Sequence, residues 1–462
     1  MAAQETAVPA TPNDLPSTQD TAGLFRSFVY KLAHVCDNTS GGTTMTAFTI
    51  LRTVSGGVRY FFASNQRLPG ELDATQEYVV RLLRLVNDSP PRSKITGLAE
   101  DEVLKAVLLF NQKRLTGYFR RLGFQARDCS DNASALESNN EELVTSSIRN
   151  FIESSQLETA LPAEGSEFVN RIVELLRCVS ILSKSPAGAL IQEQARQGRM
   201  LGHKSQECWS EFQHTLSRIM AYIESVNFLR QAQKIWPVLF NRYEVVALPS
   251  SKPIPRPSRR KSETASAIVG RMTRKQEKMD LFRDYVASLQ NFDLDERLRK
   301  EWRKDSFRPI VHAEIVLLDW LERNGGVMSQ RFFNDWKYIG GSKPTCKLCH
   351  YYFELHDARV GHRSSHGNLY PSWRFPDVFE VQGEEGAKAR QVMMRRVLDR
   401  IREDAFALVE QKVPASYKHH DSNTFSTMFT FQDRLTAEGK SIDGTRMDEI
   451  ERLMKQTIIG NK

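Results

Sequence analysis

The pattern of apolar and polar positions predicts a helix followed by a β-hairpin near the start of the chain. In TAGLFRSFVYKLAHVCD, at residues 21–37, large apolar residues recur every three or four positions, which is the spacing of one helix face. Two runs rich in β-branched and aromatic residues then flank Ser55-Gly56-Gly57. Because glycine adopts the positive φ that a tight turn requires, this segment indicates a hairpin. We therefore predict a unit of helix, strand, turn and strand over residues 22–65.

Residues 66–249 change to a succession of amphipathic helical patterns. The clearest lies in WSEFQHTLSRIMAYIESV, at residues 209–226, where the apolar positions step by three and four residues. Such a narrow apolar seam faces another helix. Packing inside a bundle of the same chain explains it better than an exposed surface for a partner does. We therefore predict a large all-helical insertion here.

Two polar segments and a terminal tail complete the predicted domain organisation. Residues 1–21 are rich in proline and threonine and indicate a disordered leader. Residues 250–270 hold three prolines and five basic residues, which predicts a solvated linker, although RPSRRK within it also fits a nuclear-import or phosphate-contact patch. Residues 271–432 form the predicted core, with a long basic amphipathic helix over 387–413. Residues 433–462 form a predicted helical tail.

Composition and charge indicate the compartment of the protein and the kinds of partner that it can have. The chain of 462 residues has no apolar run long enough to span a membrane, and its first residues lack the apolar core of a secretory signal. Six cysteines in a chain of this length do not indicate a disulfide framework, so we expect an intracellular location, cytoplasmic or nuclear or both. The formal net charge of +8 permits a polyanionic partner without requiring one.

Two short motifs place metal-ligand residue types on two helical patterns. VHAEIVLL contains His312 and Glu314, and SKPTCKLCH contains Cys346 and Cys349 at the start of the second helix. Thiolates and imidazoles are good ligands of Zn²⁺, and catalytic zinc sites use three protein ligands and leave one position to water. The partial positive charge of a helix N-terminus also favours the thiolate form of cysteine. If the two helix N-termini converge, the histidine and the two cysteines form such a site.

Glu314 adds an acid beside this predicted zinc site. Two thiolates and a neutral imidazole balance the charge of Zn²⁺. A zinc ion bound in this way can lower the pKa of a bound water toward about 7. A carboxylate that lies next to this water, without binding the metal, can accept its proton and return it to a leaving nitrogen. The order His-x-Glu followed by a proline and Cys-x-x-Cys is the signature of zinc deaminases.

Residues 307–376 resemble the zinc-dependent cytidine-deaminase-like superfamily, and most of all its OTT-type deaminase-like family, which is found mainly in fungi. HAEIVLLDWLERN and KYIGGSKPTCKLCHYYF carry the superfamily pattern, and SSHGNLYPSWRFP matches that family alone. The resemblance implies that His312, Cys346 and Cys349 hold Zn²⁺ and that Glu314 is the catalytic proton shuttle. It also implies a three-layer α/β/α sandwich, with the strand WKYIG between the two metal-bearing helices.

The same resemblance gives a role to the opening unit. Deaminase domains begin with a helix and two strands, which implies that 22–65 is the first part of one deaminase-like fold and that the helical region interrupts it. In relatives an asparagine after the second strand contacts substrate, and Asn65 is the candidate here, although a turn asparagine explains this residue as well. The superfamily usually has proline directly before the first cysteine. This chain instead reads Pro344-Thr345-Cys346, so no substrate contact is carried over to that loop.

Other interpretations of these motifs stay open. CKLCH also fits covalent haem attachment, but that chemistry belongs outside the cytosol and no export signal is seen. The neighbouring histidines are also candidates to complete a closed structural zinc site in a helical interaction scaffold; they are His350, His356, His362 and His366. Glu314 separates the two functions, because a structural site does not need an acid two residues after a histidine. A third interpretation is an inactive deaminase-like protein that binds nucleic acid.

The stretch HRSSHGNLYPSWRFP supplies candidate substrate contacts. His366 is one candidate, and Tyr370 and Trp373 are able to stack on a base, although core packing is the better explanation of Trp373. Arg363 and Arg374 are candidates for contact with a phosphate. We therefore predict a zinc-dependent deaminase of a nucleobase in a nucleotide or single-stranded nucleic acid, with no membrane partner. Cytosine and adenine both stay open as the base.

Overall fold

The structure is a computed structural model that describes residues 20–88, 100–136, 138–162, 165–200, 207–255, 264–303 and 307–410. Its α-helices are α1 (Thr21–Cys36), α2 (Pro69–Asp88), α3 (Glu102–Phe110), α4 (Gln112–Asn132), α5 (Ser138–Ser154), α6 (Gly165–Lys184), α7 (Pro186–Met200), α8 (Glu207–Ile235), α9 (Val238–Asn241), α10 (Ala265–Met272), α11 (Gln276–Leu289), α12 (Leu294–Trp302), α13 (Ala313–Arg323), α14 (Lys347–Leu355) and α15 (Gly383–Glu410). Its strands are β1 (Thr46–Arg52), β2 (Val58–Ser64), β3 (Tyr243–Ala247), β4 (Tyr338–Gly341) and β5 (Gly361–His362).

One mixed sheet of five strands, in the order β3-β2-β1-β4-β5, organises the molecule. β1 and β2 form the predicted hairpin, with Thr46 opposite Ser64 at its open end. β1 also pairs antiparallel with β4, which joins the hairpin to the strand between the two motif-bearing helices α13 and α14. β3 and β5 extend the two edges by parallel pairing with β2 and β4. Segments far apart in sequence therefore share one sheet.

The sheet buries apolar side chains on both faces because the side chains of its strands alternate between the two faces. In β1, Phe48 and Ile50 belong to an apolar cluster that includes α1 and the helical region, while Ala47 and Leu51 belong to a second cluster with α13 and α14. Successive side chains of a strand point to opposite faces, so β1 contributes to both clusters. The structure is thus a mixed α/β protein, mostly helical, and it is compatible with a deaminase-like fold.

The helices α2 to α8 pack together on one side of the sheet. α8, the longest of them, packs against α1, α3, α4 and α7. The apolar seam predicted in it is mostly buried, with Trp209, Phe212 and Leu216 each at most 2% exposed. The prediction that this seam packs within the chain is confirmed. Within the described residues, no helix combines the length and the apolarity that crossing a membrane requires.

The prediction that residues 66–249 are all helical is wrong at β3. Tyr243–Ala247 forms a parallel edge strand that pairs with β2 from Val58 to Phe62. The segment YEVVA contains adjacent β-branched residues, which suit a half-buried strand surface. Its pairing partner lies about 180 residues earlier, so the strand assignment depends on a tertiary contact.

The helix boundaries also correct the predicted linker and leader. α10 begins at Ala265, inside the predicted linker 250–270, where the Thr264 side chain caps it by accepting a hydrogen bond from the Ala267 N–H. α1 begins at Thr21 and is capped by Asp20, so the predicted leader overlaps the helix by one residue. The patch RPSRRK, most of the leader and the predicted tail 433–462 lie outside the described residues, as does the end of the predicted helix 387–413. The rest of that helix lies within α15.

Candidate metal centre

His312 and Cys346 occupy equivalent positions at the starts of two helices. Each is the N-cap residue, of α13 and α14 respectively, with extended backbone angles of φ −71° and ψ 152° for His312 and φ −71° and ψ 160° for Cys346. An N-cap residue lies just outside the first turn, so its side chain reaches across the helix end. Cys349 follows in the first turn of α14. The two helix N-termini converge, and all three side chains meet there.

The distances between the three side chains are those of ligands around one metal ion. Nδ1 of His312 lies 3.5 Å from Sγ of Cys346 and 3.4 Å from Sγ of Cys349. All three ligand atoms lie within 4.8 Å of one another. With a Zn–S bond of about 2.3 Å and a Zn–N bond of about 2.0–2.1 Å, tetrahedral geometry places sulfur and nitrogen about 3.6 Å apart. The donor set and its spacing therefore fit a metal such as zinc.

The two thiols are held in different protonation environments. A hydrogen bond from the Cys349 thiol, with help from His312, holds the pKa of Cys346 well below its usual range. Burial raises the pKa of Cys349. The Sγ of Cys346 also accepts a hydrogen bond from the backbone N–H of Cys349 at 3.4 Å, which favours negative charge on this sulfur. The helix N-terminus thus supports a thiolate before any cation arrives.

Glu314 lies in the first turn of α13 and is only 3% exposed. Burial raises the pKa of its carboxyl group to about 7, against the opposing effect of His312. Its Oε2 has no hydrogen-bond partner among the described residues. A buried carboxyl oxygen without a partner is costly, so such atoms are rare away from functional sites. The carboxyl group therefore has the setting expected of a proton carrier.

Gly341, the last residue of β4, forms the wall beside this carboxyl group. A Cβ atom at this position would lie 2.8 Å from Cε of Met45, 3.0 Å from the Lys343 carbonyl oxygen and 3.5 Å from Oε1 of Glu314. The Met45 methyl group ends a flexible side chain and can move aside, whereas the Lys343 carbonyl oxygen belongs to the backbone and would have to give by a few tenths of an ångström. Glycine therefore relieves a tight contact where β4 passes the glutamate.

Asn65 connects the hairpin to the start of α13. Its Oδ1 accepts a hydrogen bond from the backbone N–H of Ala313 at 2.9 Å, and its Nδ2 donates to the Gly42 carbonyl oxygen at 2.9 Å. Ala313 follows His312 directly, so Asn65 holds the start of the helix that carries this candidate ligand. Both ends of its amide are engaged within the chain, which gives it at least a positioning role.

The candidate substrate residues His366 and Tyr370 lie on one side of the same centre. The backbone of residues 364–368 runs along the start of α14, where Asn368 accepts a hydrogen bond from the Lys347 N–H at 3.0 Å. The Tyr370 ring lies 6.5 Å from the His312 ring and 5.6 Å from the His366 ring, measured between centroids. Both residues are half-buried. They form an aromatic wall next to the metal ligands.

The other candidates in that stretch are used inside the protein. Trp373 is 9% exposed and packs against Tyr352 and Phe375, which confirms core packing for it. Arg374 forms an ion pair with Asp377 at 2.6 Å. Arg363 is 6% exposed, and its guanidinium lies 4.2 Å from the centroid of the Tyr30 ring. Its Nη1 donates to the Gly341 carbonyl oxygen at 3.3 Å, so the buried cation supports the wall beside Glu314 rather than an exposed phosphate.

The neighbouring histidines do not join the cysteines. Nε2 of His356 lies 3.2 Å from a carboxylate oxygen of Glu322, and Nδ1 of His350 lies 3.1 Å from Nε2 of His362. Within the described residues, the metal-ligand group that contains Cys346 and Cys349 has His312 as its third member and no fourth. This arrangement leaves a coordination position open, as catalytic zinc sites do.

A buried ion pair that the sequence did not reveal supports the far side of the site. The Asp37 carboxylate pairs with Arg114 at 2.7 Å and accepts hydrogen bonds from Thr44 at 2.8 Å and Ser342 at 3.2 Å. Burial raises the pKa of Asp37, but the charges of Arg114 and Lys343 and the hydrogen bonds from Arg114 and Thr44 together outweigh it, so the net pKa is lowered. Ser342 follows Gly341, so this network fixes the end of β4. Asp37 and Ser342 are 305 positions apart, and no sequence motif indicates a contact between them.

The segment that carries the His312, Glu314 and cysteine motifs is similar to a known protein family. The family model described as OTT_1508-like deaminase matches residues 311–377. Residues 311–377 are thus similar to this deaminase family. The matched segment contains the ligand set, Glu314, His366 and Tyr370, whereas Asn65 and the helical region lie outside it. No curated protein and no solved structure matches the chain.

Proposed function

We propose that this protein is a zinc-dependent hydrolytic deaminase that acts on a nucleobase in a nucleotide or single-stranded nucleic acid. The observation that carries the proposal is the convergence of His312, Cys346 and Cys349 beside the buried, unpaired carboxyl oxygen of Glu314. A structural metal site has no use for such an acid. The deaminase-like match over residues 311–377 supports the same reaction and a place in the cytidine-deaminase-like superfamily.

The proposed metal ligands are His312, Cys346 and Cys349. Zinc, when bound, supplies Lewis acidity that makes water a nucleophile near neutral pH. The protein contributes the thiolate of Cys346, which the helix N-terminus and its hydrogen bonds favour. The ring nitrogen Nδ1 of His312 faces both sulfurs, so its Nε2 is left to carry the ring proton.

Glu314 moves the proton in the proposed reaction. Its carboxylate accepts a proton from the attacking water, and the new C–O bond forms at the carbon that carries the amino group. The carboxyl group then returns this proton to the amino nitrogen, the C–N bond breaks and ammonia leaves; the remaining hydroxyl proton moves to the ring nitrogen, so that the base now carries a carbonyl group. A pKa near the working pH suits both transfers.

The aromatic wall supports the proposed substrate class. The Tyr370 ring lies 6.5 Å from the His312 ring and 5.6 Å from the His366 ring, an aromatic surface that suits a flat heteroaromatic base. Asn65 holds the start of α13 from the hairpin side. The proposed deaminase fold therefore combines residues 22–65 with the segment around α13 and α14, and the helical region is inserted between them.

The main alternative is a helical interaction scaffold with a structural zinc site. It requires a fourth protein ligand beside the two cysteines, and the nearby His356 is instead paired with Glu322. The deaminase is therefore the function that the geometry favours.

A substrate panel tests the proposed function. The purified full chain is incubated with cytosine and adenine as nucleosides, nucleotides, single-stranded RNA and single-stranded DNA, and ammonia release and the deaminated base are measured. We expect turnover of at least one of these substrates that chelation abolishes and added zinc restores. Complete inactivity of zinc-loaded protein on the whole panel would contradict the proposal and favour the scaffold.

A further inference from the structure

A second cluster of metal-ligand side chains lies between α14 and β5 and contains neither Cys346 nor Cys349. His350 and Glu354 are four residues apart on this helix, so they share one face. His362 reaches them from β5. The ligand atoms of these three residues all lie within 4.8 Å of one another. We propose that His350, Glu354 and His362 form a second site for a divalent transition-metal ion such as zinc.

The spacing of the two imidazoles fits a shared metal ion. Nδ1 of His350 lies 3.1 Å from Nε2 of His362. Two nitrogens bound to one tetrahedral zinc ion at about 2.0–2.1 Å each lie about 3.3 Å apart. The same separation also fits a hydrogen bond between two neutral rings. The carboxylate of Glu354 is the further observation that favours a metal site. Two imidazoles and one carboxylate are a recognised zinc donor set with a fourth position for water.

The surrounding packing fixes the orientation of the His362 ring. This ring stacks on Phe353 with centroids 4.6 Å apart and an angle of 14° between the planes. Phe353 is 2% exposed, so the face on which the ring rests is rigid. A preset ring costs less ordering when it binds a cation, which favours binding. His350 and His362 are half-buried and Glu354 is exposed, so an ion can enter from solvent.

A metal ion at this cluster would stabilise the short edge strand β5. β5 has two residues, and its registered pairing with β4 is limited to Tyr338 with Gly361 and Ile339 with His362. So short an edge strand gains little from its own hydrogen bonds. A metal ion bound between α14 and β5 would fasten this strand. The chain that leaves β5 carries His366 and Tyr370, so the second site also restrains the aromatic wall of the first.

Metal content of the full-length protein tests the second site. Zinc is offered in excess, free metal is removed, and bound metal is measured by mass spectrometry. We expect about two zinc ions per chain in the wild type and about one in His362→Asn and in Glu354→Gln. Glu354 is exposed, so its substitution tests the site even if His362→Asn fails to fold. His356→Ala, which removes a nearby histidine that pairs with Glu322, is the matched control and should retain about two.

Cobalt substitution separates the second site from the first. The double variant Cys346→Ser, Cys349→Ser should still bind about one Co²⁺ per chain, without the thiolate-to-cobalt absorption band that the first site gives. This result is independent of deaminase activity. The second site is refuted if wild-type protein saturates at about one zinc ion, or if His362→Asn and Glu354→Gln bind as much metal as the wild type. In that case the two rings simply share a hydrogen bond.

Discussion

The side chain of Asn65 accepts a hydrogen bond at 2.9 Å from the backbone N–H of Ala313, a residue 248 positions later in the chain. This contact ties the end of the β-hairpin to the first turn of the helix that carries His312 and Glu314. The first N–H groups of a helix have no partner within the helix, so an acceptor from outside fixes where the helix begins. The candidate metal centre thus has a contact with a segment outside the deaminase-like match.

Asn65→Ala should loosen this connection. The buried N–H of Ala313 would lose its acceptor, which costs about 1–3 kcal/mol of stability. We expect a lower urea midpoint and weaker zinc binding in a competition with a chelator. Asn87→Ala, at a partly exposed amide in α2 whose partners are Asp88 and Gln233, is the control and should leave zinc binding unchanged. An Asn65→Ala protein with wild-type stability and zinc affinity would show that the contact does not position the helix.

Cys346→Ser should remove the metal from the first centre. Serine is a poor zinc ligand at neutral pH because its hydroxyl group stays protonated, and two remaining ligands bind weakly. We expect the loss of one zinc ion per chain and of all deaminase activity. Cys208→Ser, at a half-buried cysteine in α8, should keep both. Full zinc content in Cys346→Ser would mean that the ligand assignment is wrong.

A fragment that begins at residue 270 should fail to fold. β4 would lose its pairing with β1, and the apolar cluster around α13 would lose Ala47, Leu51 and Phe61 of the hairpin. A two-residue β5 cannot replace that partner, because short isolated strand pairs are marginal in water. We expect an insoluble or molten product by near-ultraviolet circular dichroism. A well-folded, zinc-loaded fragment would contradict the proposed split fold.

Gly341→Ala should damage the wall beside Glu314. The added Cβ atom would lie 2.8 Å from the mobile Met45 methyl group and 3.0 Å from the Lys343 carbonyl oxygen, so the backbone at Lys343 must give by a few tenths of an ångström. Overpacking of this kind costs about 1–3 kcal/mol, and the displaced carboxyl group should lower the turnover number. Gly70→Ala, where no heavy atom lies within 4 Å of the new methyl group, is the control for stability and activity. If Gly341→Ala and Gly70→Ala are equally active, Gly341 has no part in positioning Glu314.

The elements that short-range patterns determine were predictable from sequence. The hairpin is marked by alternating residues around Ser55-Gly56-Gly57, and the two motif-bearing helices are marked by their spacing of His, Glu and Cys. β3 was missed because the short segment YEVVA, which follows a helix, does not by itself distinguish strand from helix, and its pairing with β2 decides it. The Asp37–Arg114 pair and the buried position of Arg363 were also beyond prediction. Each depends on contacts between residues far apart in sequence, which no local pattern encodes.

Glu314→Gln tests the central claim most directly. Glutamine keeps the volume of the side chain and one hydrogen-bonding oxygen, so folding and zinc content should match the wild type. It cannot accept a proton from water, and loss of general acid–base help lowers rates by about 10²–10⁴-fold. His356→Ala, whose side chain pairs with Glu322 away from the cysteines, is the comparison variant and should keep both zinc and turnover.

The decisive measurement is product formation by zinc-matched Glu314→Gln on the substrate that the panel identifies. The deaminase account predicts a turnover number reduced by at least about 10²-fold at unchanged zinc content and unchanged thermal midpoint. Wild-type turnover in this variant would contradict the account, because Glu314 would then have no part in proton transfer.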